Sequence, residues 1–567
     1  MAHLKDFRGI EYTDFFEQDM GLQTLLTDFL PESEREAIFA SLHECATLAA
    51  GRWNDLAREA SRTENLPRII KSDRAGNPIE RVDFGIHTET LRREVADFGL
   101  FTKARNNLHK FAMIYYTAHN GEASLNCGVS CTDGLIRAIE AKGSDFLREY
   151  YLPKLLSSET PFAGAQFVTE RTGGSDVGAI ETRAEANADG TWTLTGEKWF
   201  CSNPDEYFLV AAKYDANAKG TAGVAVFLVP RVLPDGSVNR ISFQKLKDKL
   251  GTRSLPTAEM KFDGATTYAI GEPQEGFKTL MNYIINVSRL HNSISACALL
   301  HRGFLEARNY AKQRESFGQT LADSPLIQET LVKLLARSWR NRLLTFRLIA
   351  MVDENGLLPA NEEQAMWQRF LTNLAKYRTA LTVVDSLREA MLILGGNGIV
   401  EDFTVLPRLF RDAMIIETWE GPPNTLCLQI IRDAARSNLL PVFQSEIAGA
   451  LERWEKDFLS HTRQIFEQQF NDLNNALAEN STNKGWLEAN ARRIVDTMGS
   501  LIEIAWLTEF AARRQEHDAT AAIMASLSGK ELFDNDSFGH PAFEALKQHG
   551  ADLINEKPVS FTRLQLL

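Results

Sequence analysis

With 62 basic and 75 acidic side chains among 567 residues, the chain carries a formal net charge of −13. That balance speaks against a protein built to hold nucleic acid or an anionic membrane over a broad face, because both select positive surface. At 44% hydrophobic and 24% charged, the composition is that of a globular protein long enough for three or four domains, and no apolar run reaches the ~18–20 residues that span a bilayer.

The opening stretch "MAHLKDFRGIEYTDFFEQDM" mixes acids with bases and lacks an apolar centre, so no secretory signal or transit peptide is expected there. From it to residue 162 the pattern is helical. "SEREAIFASLHECATLAAGRW" and "TETLRREVADFG" carry apolar residues at three-to-four spacing, separated by a polar, turn-rich break, "RIIKSDRAGNPIERVDF". Over 163–274 the period changes to two. "TWTLTGEKWF", "EYFLVAAKY", "GVAVFLVPR" and "TAEMKF" are short β-branched or aromatic runs bounded by Gly, Asp, Asn and Pro, which predicts a compact antiparallel β domain. Helical periodicity returns over 275–440. There Phe277, Leu280, Met281, Ile284 and Ile285 form one stripe of a long core-facing helix, and the runs that follow predict an antiparallel bundle. A last helical segment, 441–567, holds 12 basic and 19 acidic residues, the wrong sign for a DNA-binding appendage. Its final "LQLL" matches no receptor-read address.

Six cysteines, Cys45, Cys127, Cys131, Cys201, Cys297 and Cys427, are scattered as in a reducing compartment, and a cytoplasmic location is expected. Cys127 and Cys131 stand one helical turn apart, but no second Cys or His pair completes a zinc set. Buried thiols and no metal are the expectation. Nucleotide-binding and hydrolase signatures such as GxGxxG after a strand, GxxxxGK[ST], HExxH and GxSxG are absent.

Three stretches bear on chemistry. In "AQFVTERTGGSDVG" (165–178), Gly173 and Gly174 let backbone approach a ligand and Thr169 and Ser175 offer hydroxyls, although an ordinary strand-to-turn loop has the same composition. In "GEKWFCSN" (196–203), Phe200 and Ser202 share a strand face, an arrangement suited either to a flat heterocycle needing one polar contact or to a plain core pair of Trp199 and Phe200. In "IIETWEGPPN" (415–424), Glu420 stands beside Trp419. A carboxylate in such an apolar setting needs a partner or has its pKa raised; it also suits an acid opening a helix at Pro422 and Pro423.

Taken in order, "VTERTGGSDV", "GEKWFCSN", "LKDKLGTRS", "QRESFGQ", "LGGNG" and "WEGPPN" are similar to the dispersed motifs of the acyl-CoA dehydrogenase family over roughly residues 90–435. The segment "RIIKSDRAGNPIERVDF", "LKDKLGTRS", the Trp before Glu420 and the helical extension resemble its AidB-type (adaptive response) branch most. The resemblance implies an α+β multidomain fold: an N-terminal helical domain, a central antiparallel β domain and a C-terminal four-helix bundle, here with an extra helical C-terminal extension. It implies FAD lying between the β domain and the bundle, and it implies residue roles. Val168 and Thr169 would meet the pyrimidine end of the flavin, Phe200 would lie over it, and Ser202 would sit near N5. Ser175 would touch flavin phosphate or the substrate's pantetheine. Arg314 and Phe317 would reach the FAD of a neighbouring subunit, as would the loop from Leu392 through Gly395 to Gly396 at the adenine end. Gln328 matches the family's glutamine with a two-residue insertion, and Pro422 and Asn424 take two flavin-contacting places. Arg289 would lie near the CoA moiety, with Ser288 before it where some subfamilies carry an alternative acid.

Glu420 is then the expected catalytic base. It would remove the weakly acidic α-proton of a fatty acyl-CoA while the β-carbon delivers hydride to flavin N5, giving the trans-2-enoyl thioester. Gly421 would leave room for the thioester oxygen against the Glu420 N–H. An electron-transfer flavoprotein would be the acceptor and the assembly a dimer or tetramer. Departures from the family pattern are Gln166 for tyrosine, Phe200 for tryptophan, Leu392 for glutamine, and Pro422 where a hydroxyl residue is usual. They bear on individual FAD contacts and not on the flavin itself. Three rival expectations stand beside this reading: an acyl-CoA oxidase, an AidB-like stress or DNA-associated flavoprotein with weak dehydrogenase activity, and an acyl-ligand-binding module.

Overall fold

Alternation in two strands organises the β region. In "YFLVAAK" and "VAVFLVP" nearly every residue is apolar, and successive side chains feed two different cores. Phe208, Val210, Ala212, Ala225, Phe227 and Val229 join one cluster with Phe167, Cys201, Phe243 and Phe262. Leu209, Ala211, Val224, Val226 and Leu228 join the other, against Leu135, Ile136 and Ile139 of the helix Ala123–Lys142. A strand buried on both faces reads as a continuous apolar run for this reason.

The computed structural model describes residues 7–514, 518–533 and 541–559. The chain divides into two compact units that do not follow chain order. One comprises residues 51–105 and 120–291; the other comprises residues 1–50, 106–119 and 292–567.

The first unit contains a hairpin, β1 (Arg68–Ser72) and β2 (Pro78–Asp83), and a seven-stranded sheet: β3 (Gly164–Phe167), β4 (Arg183–Ala186), β5 (Trp192–Ser202), β6 (Tyr207–Lys213), β7 (Val224–Pro230), β8 (Ile241–Leu246) and β9 (Thr257–Ala269). Strand order is β3-β6-β4-β5-β9-β7, with β8 on β9, and a β6–β7 pairing joins the path back to itself. Pairing is mainly antiparallel, with β6 parallel to β3 and to β4. The stretch read as a polar break is in fact the β1–β2 hairpin. Asp73 organises its tip, accepting from the amides of Ala75 and Asn77 at 2.8 and 2.9 Å, while Ile69 and Val82 face the sheet core. The stripe from Phe277 also needs amendment. Leu280–Ile285 is a π-helical turn that rotates the face, so Leu280 and Ile284 are fully buried while Met281 and Ile285 are half-buried. Such turns are rare and concentrate at functional positions; this one runs directly into the helix Asn286–Gln313.

Among the described residues, the regular structure of the second unit is helical apart from one short hairpin, β10 (Glu315–Ser316) and β11 (Gln319–Thr320). Its long helices are Pro325–Asn355, opened by a proline and ended at Gly356 (φ +80°), and Glu362–Ile393, capped by Asn361 on the amide of Gln364. Charges tie the later helices to these two. Glu503, on the helix Ala491–Ala512, takes Arg340 at 2.9 Å and Arg378 at 2.8 Å. Glu531, on Thr520–Phe533, takes Arg337 at 2.6 Å and Arg340 at 3.1 Å. All six cysteines are buried and free; Cys127 and Cys131 sulfurs lie 3.8 Å apart. No helix among the described residues is long and apolar enough to cross a membrane.

At the centre of this unit Asp19 is wholly buried. It caps the helix Met20–Phe29 through the amide of Leu22, accepts from the Tyr115 hydroxyl at 2.8 Å, and pairs with the buried Arg342. Burial would raise its carboxyl pKa, but the charges of Arg342 and His301 and these hydrogen bonds outweigh it and bring the value from 3.8 to about 2. Asp19→Asn leaves the Arg342 charge buried without its anion, and we expect a loss of about 3–5 kcal/mol in urea denaturation. Since the folded-state value lies below the unfolded one, the native protein keeps this contribution above about pH 4 and loses it as pH falls toward about 2. The variant should therefore show a shallower acid decline over that interval.

Candidate active site

In the sheet-containing unit, the segment after β3 is fixed by a buried lysine. Lys198 of β5 is 1% exposed, and its ammonium donates to the Val168 carbonyl at 3.1 Å and to Glu170 Oε1 at 2.6 Å. Trp199 N–H donates to the Thr169 carbonyl at 2.9 Å. Val168 and Thr169 are thereby held beside the strand that carries Phe200 and Ser202. Burial alone would raise the Glu170 carboxyl, but the Lys198 charge and the donors Thr182 and Glu181 outweigh it and lower its pKa. The chain then turns at Gly173, whose φ of +135° favours glycine and which has open space where a Cβ would stand. Ser175 follows, exposed.

Strand β5 is bulged between Lys198 and Cys201 on its partner β9. A bulge re-aims side chains and recurs beside active sites. Here Cys201 points into the core while the Phe200 ring is 51% exposed, with the Lys247 ammonium 4.8 Å from its centroid. The core-pair reading of Phe200 is thus set aside. Ser202 Oγ lies 3.0 Å from Thr257 Oγ1, which also takes Lys249 Nζ at 3.0 Å. One family departure meets the residue before Arg289: the Gln166 amide donates to Ser288 Oγ at 3.0 Å, and Ser288 donates back at 3.2 Å. Arg289 is buried, and His291 lies 2.9 Å from Asp133.

In the helical unit, the helix Leu406–Ile416 ends at the segment that carries Glu420. Its last carbonyls are satisfied from other helices. Asn292 Nδ2 donates to the Ile416 carbonyl at 3.1 Å, and Lys376 Nζ donates to those of Glu417 at 2.9 Å and Gly421 at 2.8 Å. Cations and side-chain donors at a helix C-terminus are favourable for this reason. Between these anchors Glu420 adopts φ +57° and Gly421 φ +109°. A side chain in the left-handed region costs about 1–2 kcal/mol, so the surrounding structure must hold it there. The next helix starts at Pro423 with Pro422 at its N-cap, so Glu420 lies two residues before the cap. Glu420 is half-buried; Pro422 and Asn424 are exposed. Burial raises the Glu417 carboxyl pKa, and the Lys376 charge opposes the shift.

The remaining candidates lie at two loops of the same unit. Phe317 (φ +52°) and Gly318 (φ +84°) form the two-residue turn between β10 and β11, which requires positive φ at both central positions. The Phe317 ring stands fully exposed at 103%, and Arg314 is half-buried at its base. Leu392 is 69% exposed, and Gly395 and Gly396 face open space. Asn397 Nδ2 donates to the Tyr310 hydroxyl at 3.1 Å, and the Arg314 amide donates to the Tyr310 carbonyl, so this loop and the hairpin share one anchor. Gln328 donates to the Ala322 carbonyl at 2.8 Å.

Sequence reasoning passed over Lys198, Lys376 and Asn292. For Lys198 a signal was present: in "LTGEK" it occupies the same strand alternation as the buried Leu194. For Lys376 the hint is a single charge within the otherwise uncharged run "FLTNLAKY".

Two family models match, acyl-CoA dehydrogenase middle domain over residues 165–265 and acyl-CoA dehydrogenase C-terminal domain over 274–435. The chain is 28% identical to acyl-CoA dehydrogenase family member 11 of Caenorhabditis elegans over 523 residues, covering 88% of this chain and 84% of that protein. It is 35% identical to the putative acyl-CoA dehydrogenase AidB of Escherichia coli K12 over 267 residues, which is 47% of each. Among solved structures, C. elegans ACDH-11 in complex with C11-CoA superposes with a TM-score of 0.84 at 25% identity, covering 97% of this chain and 96% of that one. From these matches and the motif geometry, the chain belongs to the acyl-CoA dehydrogenase family, in agreement with the AidB-type branch its motifs resemble.

Proposed function

We propose that the protein dehydrogenates a fatty acyl-CoA thioester between its α and β carbons, with FAD as cofactor and Glu420 as the base. The observation that carries this reading is the backbone of Glu420: a non-glycine residue in the left-handed region, bracketed by carbonyls anchored to Lys376. Strain of this kind persists where function needs a side chain presented in one direction. The C11-CoA complex of ACDH-11 supports a thioester ligand.

The residues present suit a flavin. An exposed aromatic ring at Phe200 offers a stacking wall, the immobilised Val168–Thr169 backbone and the Ser202 hydroxyl offer polar contacts, and Gly173 leaves space for close approach. When bound, FAD supplies the acceptor for the hydride leaving the β-carbon. The chain's own tasks are different. Glu420 takes the α-proton, and its carboxylate needs no large motion because its main chain is fixed. Its amide N–H, next to a residue without a Cβ, would polarise the thioester carbonyl as charge builds on oxygen. Ser175, exposed beyond Gly173, is the candidate contact for the CoA arm or a flavin phosphate. Phe317, Arg314 and the Leu392–Gly396 loop reach a flavin held by a second copy of the chain, which makes the active form at least a homodimer.

Glu420→Gln should keep its yellow flavin but bleach about 10²–10⁴-fold more slowly when mixed anaerobically with acyl-CoA. Unchanged bleaching would place the base elsewhere. Anaerobic titration with saturated acyl-CoAs of graded length should define the preferred chain. Hydrogen peroxide release under turnover would identify oxygen, and its absence with activity on an electron-transfer flavoprotein would identify that protein, as acceptor. Phe317→Ala should lose flavin on gel filtration, while its melting temperature without flavin stays within a few degrees of that of the flavin-stripped parent protein.

A further inference from the structure

Lys376 lies in the middle of the helix Glu362–Ile393 with 1% of its surface exposed. A buried ammonium is costly unless its donors are used. Two of its donors reach main-chain oxygens on either side of Glu420: the carbonyls of Glu417 and Gly421, 41 and 45 residues away in sequence. The first belongs to the end of the helix Leu406–Ile416, where unpaired carbonyls concentrate partial negative charge, so a cation is the suitable partner. The second belongs to Gly421, whose φ of +109° follows the +57° of Glu420. Asn292 adds a third anchor, on Ile416. A point charge with three rotatable donors can serve two carbonyls at once; an apolar residue of similar length would fill the volume and leave both unpaired.

We infer that Lys376 is a positioning residue for Glu420, holding the Glu417–Gly421 turn so that the carboxylate and amide of residue 420 are presented in one fixed orientation. Its catalytic consequence rests on the reading of Glu420 as base. The clamp does not, and the two are separable by experiment.

Hydrogen–deuterium exchange of the flavin-loaded protein reads the clamp directly. In Lys376→Met the amides of residues 417–421 should exchange about tenfold faster, with the rest of the chain within about twofold. Anaerobic reduction by acyl-CoA should slow about 100-fold, with the substrate's apparent Kd within about threefold, since a small misplacement of a reacting group costs this much. Lys376→Arg, which keeps donors and charge, should recover most of both. Should Lys376→Met fail to fold, Lys376→Gln is read by the same exchange experiment. Unchanged exchange at 417–421 overturns the clamp. Faster exchange with an undiminished reduction rate, in a protein whose Glu420→Gln variant is inactive, overturns the positioning role. If Glu420→Gln bleaches normally, the base assignment falls while the exchange result still judges the clamp.

Discussion

Ammonium groups out of water, pressed against main-chain carbonyls, are the constraint common to the Val168–Glu170 and Glu417–Gly421 segments. Lys198 holds the carbonyl of Val168 and the carboxylate of Glu170; Lys376 holds the carbonyls of Glu417 and Gly421. In each case the lysine comes from a regular element, a strand or a long helix, and the segment it holds is irregular. Loops have few intrinsic contacts, so a side chain that must be placed to within a fraction of an ångström borrows rigidity from such elements. The direction of the dependence matters. Remove the cation and the carbonyls lose its hydrogen bonds; remove the irregular turn and the buried cation loses two of its acceptors.

The Asp19 centre applies the same logic at larger scale. One carboxylate caps a helix, accepts from a tyrosine and neutralises an arginine that sits some 320 residues later in the sequence. It draws together the start of the chain, the helix Asn107–Ala118 and the helix Pro325–Asn355, all within one unit.

Much of this could be read from residues alone, and what could not has definite reasons. Strands β5, β6, β7 and β9 announce themselves because alternation or continuous burial spans six or more residues. Strands β3 and β4 have four residues each, too few for a period to stand out. The β1–β2 hairpin hid behind its tip, where Ser, Asp, Gly, Asn and Pro outnumber the few apolar positions that make its inner face. In the stripe from Phe277, a π turn adds a residue to the repeat, which a count at three and four cannot register. Thr169, Ser175, Phe200, Ser202 and Glu420 stood out by residue type and gained roles through the family resemblance; Lys376 did not, because its partners are backbone carbonyls 41 and 45 residues away and backbone carbonyls carry no sequence signature.

The ladder of Arg337, Arg340, Arg378, Glu503 and Glu531 has a consequence for how this protein could have diverged. Five mutually dependent charges on four helices cannot be exchanged one at a time without passing through an intermediate with an unmatched ion in a dry interior. A lineage that acquired the terminal helices with this ladder is therefore tied to them: deletion would take from Arg340 and Arg378 their carboxylate partners and leave Arg337 with Glu389 alone, and reversion would need several coordinated substitutions. The appendage has become an inherited obligation of the bundle it covers.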